Sequence, residues 1–282
     1  MANRVTTRKV TALLLASHPG PTAVVTVIAV ALGFGLGYPP GRLAILGSAI
    51  LLGQLSIGWS NDWLDAGRDA AVERLDKPAA QGAIAVSAVR AAAFVALVAA
   101  LLVTLALGPA TTVAHVAAIA GGWAYNLGLK RTALSFLPFA TSFGLLPAIA
   151  TLGQVEPALP AAWVLGAGAL LGVAAHITNV LPDLADDART GVRGLPHRLG
   201  AVPSGLLAFL CLALATVLIT FGPGWPPRPL LVLGLLLGLT AAVVGVVLLL
   251  RRSPTRMLMQ LIMTCAIVDV AMLALAGQSI TV

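Results

Sequence analysis

Nine stretches of about 20 predominantly apolar residues follow one another along this chain, and that cadence decides most of what it can become. A helix needs roughly 20 apolar residues to cross a bilayer. The runs fall at about 21–38, 42–60, 84–107, 111–129, 133–153, 159–181, 202–222, 229–250 and 257–277. They predict an all-α membrane protein, a nine-transmembrane-helix bundle forming one membrane-embedded domain over residues 1–282. Charged side chains make up 10% of the chain against 59% hydrophobic ones, where a soluble protein carries roughly 25% charged. A soluble domain, a disordered segment and a coiled coil are thereby excluded. Cys211 and Cys265 lie in apolar runs, so neither a disulfide framework nor a thiolate metal site is on offer. The apolar stretch after Arg4, Arg8 and Lys9 stops at Ser17-His18-Pro19, too short for a secretory signal. The chain is therefore expected to open with a short basic cytoplasmic segment.

Fifteen of the 17 Lys and Arg side chains fall on one side of these spans. They are Arg4, Arg8 and Lys9; Arg68, Arg74, Lys77 and Arg90; Lys130 and Arg131; Arg189, Arg193 and Arg198; and Arg251, Arg252 and Arg256. Only Arg42 and Arg228 face the other way. By the positive-inside rule the N-terminus is cytoplasmic, and an odd number of spans puts the C-terminus outside a plasma (inner) membrane. The net charge of +7 then faces anionic lipid rather than nucleic acid.

Acidic residues contribute little to topology, so their placement needs a different reason. Five of the ten lie in a first cytoplasmic loop (Asp62, Asp65, Asp69, Glu73, Asp76) and three in a second (Asp183, Asp186, Asp187). At helical spacing Asp62, Asp65 and Asp69 share one stripe, and Asp183 and Asp187 are an i, i+4 pair. Like charges stacked in this way repel, and a cation reverses the sign. Oxygen ligands without Cys suit Mg²⁺, which carboxylates commonly share with substrate phosphates; Mn²⁺ fits the same donors.

The two clusters form a weak internal repeat, Asn61-Asp62-x-x-Asp65-x-x-x-Asp69 after the second span and Asn179-x-x-x-Asp183-x-x-x-Asp187 after the sixth. Both face the same side, where together they can clamp a Mg²⁺-bound diphosphate. Arg68, Arg74 and Lys77 follow the first, and Arg189 and Arg193 the second, as partners for the remaining phosphate charge. A solvated acidic face explains one such cluster; two at symmetric positions, each led by Asn and followed by basic residues, argue against it.

These segments resemble the UbiA superfamily of intramembrane prenyltransferases. Asn61-Asp62-Trp63-Leu64-Asp65-Ala66-Gly67-Arg68-Asp69, with Arg74 and Lys77, resembles its first aspartate-rich motif. Asp183-Leu184-Ala185-Asp186-Asp187-Ala188-Arg189, continuing to Arg193, resembles the second, and Tyr125-Asn126 followed by Lys130 is similar to a Tyr–Lys element after the fourth helix. The resemblance implies Mg²⁺-dependent transfer of a polyprenyl group from polyprenyl diphosphate to a small, usually aromatic, acceptor. It implies Asp62, Asp65, Asp69, Asp183 and Asp187 as metal-holding and catalytic residues. Asn61, Arg68, Arg74, Lys77, Tyr125, Lys130, Asn179, Arg189 and Arg193 would line the diphosphate or its cavity. Phosphoribosyl transfer to a polyprenyl phosphate and terpene cyclisation are alternatives within the superfamily. A transporter is the alternative outside it, but that expects carboxylates near the midplane, where only Asp269 lies.

Among the other polar residues, Asp269 is expected to make an interhelical hydrogen bond or line a cavity, since a mid-span charge is costly. His115 reads as a core histidine, His176 as a residue at the cavity mouth, and His18 as part of a surface turn. Trp59, Trp63, Trp163 and Trp225 read as interfacial anchors.

Overall fold

Proline marks where the helices begin. Pro19, Pro40, Pro109 and Pro229 each occupy the first position of a helix, where the missing N–H costs nothing and the ring fixes a helical φ. The computed structural model describes residues 2–72, 74, 77–184, 187, 191–251 and 255–282, the side chains of 2–8 and 255–259 excepted. Glu73, Asp76, Asp186, Arg189 and Arg252 lie outside the described residues, as do the side chains of Arg4, Arg8 and Arg256. The helices are α1 (Ala2–Leu15), α2 (Pro19–Gly35), α3 (Pro40–Ala71), α4 (Val86–Leu105), α5 (Pro109–Leu127) and α6 (Leu137–Leu152). They continue as α7 (Ala162–Val180), the short α8 (Leu195–Leu199), α9 (Ala201–Phe221), α10 (Pro229–Leu250) and α11 (Thr255–Ala276).

All nine apolar runs are helical, and the fold is all-α. Among the described residues six helices are long and apolar enough to cross a membrane alone: α3, α4, α7, α9, α10 and the stretch through α11. A seventh crossing arises if Lys9–Leu15 and Pro19–Gly35, bent by 63°, count as one, while α6 is a shorter apolar helix. Large apolar side chains such as Val95, Leu102, Val113, Leu236 and Ile267 point outwards, the arrangement expected of a multi-pass membrane protein whose solvent is lipid. Inside, Leu46, Ile50, Ile149, Val164 and Ile219 anchor one packed cluster, and Ile177, Phe209 and Leu212 another.

Two elements differ from the sequence reading. The N-terminal segment is helical: α1 turns into α2 through His18, which sits in the left-handed region (φ 54). The second span also does not stop near residue 60; α3 runs on to Ala71, so Asp62, Asp65 and Asp69 stand on a helix instead of a loop. Gly58 fixes how these parts meet. A Cβ there would collide with the carbonyl oxygen of Ser17, so the α1–α2 bend can lie directly against α3.

The opposite end is closed by backbone capping. Gly37 (φ 74) ends α2 with hydrogen bonds from Gly37 N to Phe34 O and from Tyr38 N to Gly33 O, the paired pattern that satisfies terminal carbonyls. Arg42 donates to Gly153 O at 2.6 Å and Leu107 O at 2.9 Å, and Arg228 donates to Leu275 O at 3.2 Å. Both basic residues assigned to that side thus cap helix C-termini, where a cation is favoured.

Candidate active site

Asp62, Asp65 and Asp69 are 1%, 3% and 2% exposed. Burying an ion costs several kcal/mol unless it is paired, and cations have been brought to each. Lys130, on the single 3-10 turn after α5, places Nζ 2.6 Å from both oxygens of Asp65. Arg68 reaches back one turn to Asp65 Oδ2 at 3.1 Å and to Asp69 Oδ1 at 3.2 Å. Lys77 Nζ stands 3.1 Å from Asp62 Oδ1. Burial pulls the Lys130 ammonium below the usual lysine range, against the opposing pull of Asp65.

Two asparagines hold this array in register. Asn126, on α5, donates to Ile57 O at 2.9 Å and Ser60 Oγ at 2.8 Å, and accepts from Asn61 Nδ2 at 3.1 Å. Asn61 also donates to Asp65 Oδ2 at 3.2 Å and accepts from Lys77 at 3.4 Å. Lys77 is further steadied by His18, whose Nε2 accepts from Nζ at 2.9 Å. The surface turn expected at His18 is therefore folded in against the site.

The second acidic segment meets the first from across the bundle. Asp183 closes a 3-10 turn (Leu181–Asp183) after α7, its side chain is 46% exposed, and its Oδ2 lies 3.9 Å from Arg74 Nη1. Asp187 Oδ2 is 3.6 Å from His197 Nε2. Burial raises the Asp187 carboxyl, while Arg68, His197 and Lys130 oppose that rise, so Asp187 feels the same cations that hold Asp65. Tyr125 lies in the field of Asp187, Asp65 and Arg68 and packs edge-on against Phe139 at 5.2 Å and His176 at 5.8 Å. His176, at 3.0 Å from Ser135 Oγ, supports that aromatic wall.

Not every expected residue joins this constellation. Asn179 and Arg193 are exposed, and Arg189 lies outside the described residues. Asn179 lies near the end of α7, where the helix tightens at Val180 into the 3-10 turn Leu181–Asp183. Asn126, His18 and His197 are contributors to which the sequence reading gave no role at the site. Asn126 alone had a local signal, a polar residue four positions before Lys130.

Among the described residues no three carboxylate, imidazole or thiol groups converge closely enough to hold one metal ion; the basic side chains stand there instead. The donor set nonetheless suits a small hard cation. Asp62 Oδ2 and Asp69 Oδ2 are buried without a hydrogen-bond partner, and Asp62 Oδ1 has only the Lys77 ion pair; native proteins rarely leave such atoms unsatisfied. Beneath the carboxylates a small pocket opens between α2, α3, α5 and α6, lined by Val25, Ile50, Ile57, Ile119, Phe143 and Leu146 among others. Asp269, the midplane carboxylate, is buried with Oδ1 2.7 Å from Thr216 Oγ1, an interhelical contact that leaves it outside this cavity's lining.

A model of the UbiA prenyltransferase family matches residues 22–267. Among solved structures, a UbiA homologue from Archaeoglobus fulgidus bound to GPP and Mg²⁺ is 16% identical with a TM-score of 0.72, over 96% of this chain and 100% of that one. An apo UbiA homologue from Aeropyrum pernix K1 is 13% identical with a TM-score of 0.72, over 90% and 96%. A digeranylgeranylglyceryl phosphate synthase is 15% identical with a TM-score of 0.67, over 96% and 99%. At these identities the likeness shows the fold. Among curated proteins none matches in sequence.

Proposed function

The chain belongs to the UbiA prenyltransferase family, and from that premise we propose that it transfers a polyprenyl group from polyprenyl diphosphate to an aromatic acceptor within the membrane, with Mg²⁺ (or Mn²⁺) as its metal. The observation that carries this reading is the trio of buried carboxylates on α3, of which Asp62 Oδ2 and Asp69 Oδ2 have no hydrogen-bond partner although cations surround them. The Archaeoglobus fulgidus homologue bound to GPP and Mg²⁺, and again to DMAPP and Mg²⁺, supports the choice of substrate and metal.

Asp62, Asp65, Asp69, Asp183 and Asp187 would hold Mg²⁺, which when bound neutralises charge on the diphosphate oxygens. Lys77, Lys130 and Arg68 now neutralise carboxylates; released from them, they are positioned to pair with the diphosphate as the C1–O bond breaks and negative charge grows on the leaving group. Arg74, already 3.9 Å from Asp183, would close the site from the second segment, with Arg189 and Arg193 adding positive charge and Asn179 at its rim. Asn61 and Asn126 keep the lysines and Asp65 in register. Tyr125 presents a ring to the electron-poor prenyl carbon. The apolar cavity below excludes water that would otherwise trap that carbon. We place this site at the cytoplasmic face of a nine-span domain whose N-terminus is cytoplasmic and C-terminus outside, as the distribution of basic residues supports.

Membranes carrying the protein, given labelled prenyl diphosphates and a panel of acceptors, should form a prenylated product only with Mg²⁺ or Mn²⁺. Full activity in excess chelator contradicts the proposal.

A further inference from the structure

Ser135 follows the turn that carries Lys130 and is fully buried. Its hydroxyl joins two distant parts of the chain. Leu195 N donates to Ser135 Oγ at 2.8 Å, and His176 Nε2 lies 3.0 Å away on the other side. A buried hydroxyl needs an acceptor for its own proton, and among the described residues His176 Nε2 is the one at hand. Ser135 therefore donates to Nε2, and the imidazole carries its proton on Nδ1. The reverse assignment would strand both the Ser135 proton and the Nδ1 lone pair, since Nδ1 is buried without a hydrogen-bond partner. One side chain thus accepts from the second segment and orients the ring that Tyr125 packs against.

Gly194 makes the contact close. A Cβ there would stand 2.7 Å from Ser135 Oγ and 2.8 Å from Lys130 O, so the chain entering α8 lies directly on the Lys130 turn. From α8 the connection runs on to the second acidic segment. His197, its side chain 6% exposed, places Nε2 3.6 Å from Asp187 Oδ2, and the buried Val192 donates its N–H to Asp187 O at 3.0 Å. On the other side Lys130 grips Asp65 at 2.6 Å. The segments also meet through Arg74 and Asp183, but that pair is 3.9 Å apart with Asp183 46% exposed, and exposed ion pairs hold little. Leaving a buried donor or acceptor unpaired costs far more.

We propose that Ser135 is a positioning residue for prenyl transfer: the latch that docks the second acidic segment onto the Lys130 turn and so sets where Asp187 stands relative to Asp65. The proposal rests on the prenyl-transfer reading above and says how that site is assembled. Ser135 touches neither metal nor substrate; it acts through Leu195, His176 and the turn it sits on.

The test uses purified full-length protein in lipid nanodiscs. Spin labels on cysteines at the exposed positions 67 and 199 report the distance between α3 and α8; Cys211 and Cys265 are buried. Without metal, the otherwise wild-type protein should give one narrow distance distribution. Ser135→Ala, which leaves Leu195 N–H and His176 Nε2 unpaired, should broaden it. Gly194→Ala should do the same: its φ of −68° suits Ala, and the Cβ pushes α8 away while the hydroxyl stays. It decides the matter should Ser135→Ala not fold. In unlabelled protein the Mg²⁺ concentration for half-maximal geranyl diphosphate binding should rise about tenfold in both variants. Thr216→Val is the control. Its hydroxyl is equally buried and lies 2.7 Å from Asp269 Oδ1, so it loses a comparable hydrogen bond but should change neither readout. An unchanged distance distribution, an unchanged Mg²⁺ requirement, or an equal effect of Thr216→Val overturns the latch. Absence of Mg²⁺-dependent geranyl diphosphate binding in the wild type overturns the prenyl-transfer reading instead, while the metal-free distances still judge the latch.

Discussion

Lys130→Met removes the most tightly held cation at the site. In the wild type Nζ lies 2.6 Å from each oxygen of Asp65, and both side chains are 5% exposed. Removing one partner of a buried pair costs about 3–5 kcal/mol, because the other charge stays desolvated. Here Arg68 and Asn61 remain on Asp65 at 3.1 and 3.2 Å, which places the expected loss near the lower end, about 3 kcal/mol. Unfolding by SDS in mixed micelles, followed by tryptophan fluorescence, measures it. The same substitution frees Asp65 for a metal, so Mg²⁺ alone should stabilise Lys130→Met more than the wild type, by the usual linkage of binding to stability. A variant within about 0.5 kcal/mol of wild type, or one that gains no more from Mg²⁺, refutes the view that Lys130 occupies a metal-binding carboxylate.

Gly58→Ala should cost about 1–3 kcal/mol in the same unfolding measurement, because the added Cβ meets the Ser17 carbonyl. Gly67→Ala, with nothing within 4 Å of its Cβ, should be neutral or slightly stabilising. Cysteines placed at the exposed positions 67 and 191 should react in intact cells only with reagent that enters the cytoplasm; labelling from outside contradicts the proposed orientation.

Helix positions were legible because the bilayer imposes a length that hydropathy can count, and α10 begins and ends where its apolar run does. The end of α3 was not, because its last turns carry charges that stop a hydropathy count, although the spacing of Asp62, Asp65 and Asp69 already followed one helical face. The first acidic motif could be read as chemistry since its residues are neighbours on one element. Its partners could not: Lys77 meets His18 across 59 positions and Asn61 meets Asn126 across 65. Those pairings depend on the α1–α2 bend and on the packing of α5 against α3, neither of which leaves a local pattern. In the second motif Asp183 and Asp187 could be paired by their spacing, but their neighbours in the fold, Arg74 and His197, are set by long-range packing.

The central claim is that the two acidic segments act on one diphosphate, and turnover of Asp62→Asn, Asp183→Asn and the double variant tests it most directly. Each single substitution should lower prenyl transfer by at least about 100-fold, roughly 2.7 kcal/mol, in protein that remains folded. Groups that work as a unit are not additive, so the double variant should be little worse than either single one. Near wild-type turnover for Asp183→Asn, with Asp62→Asn inactive, would contradict the account and leave the second segment as scaffolding.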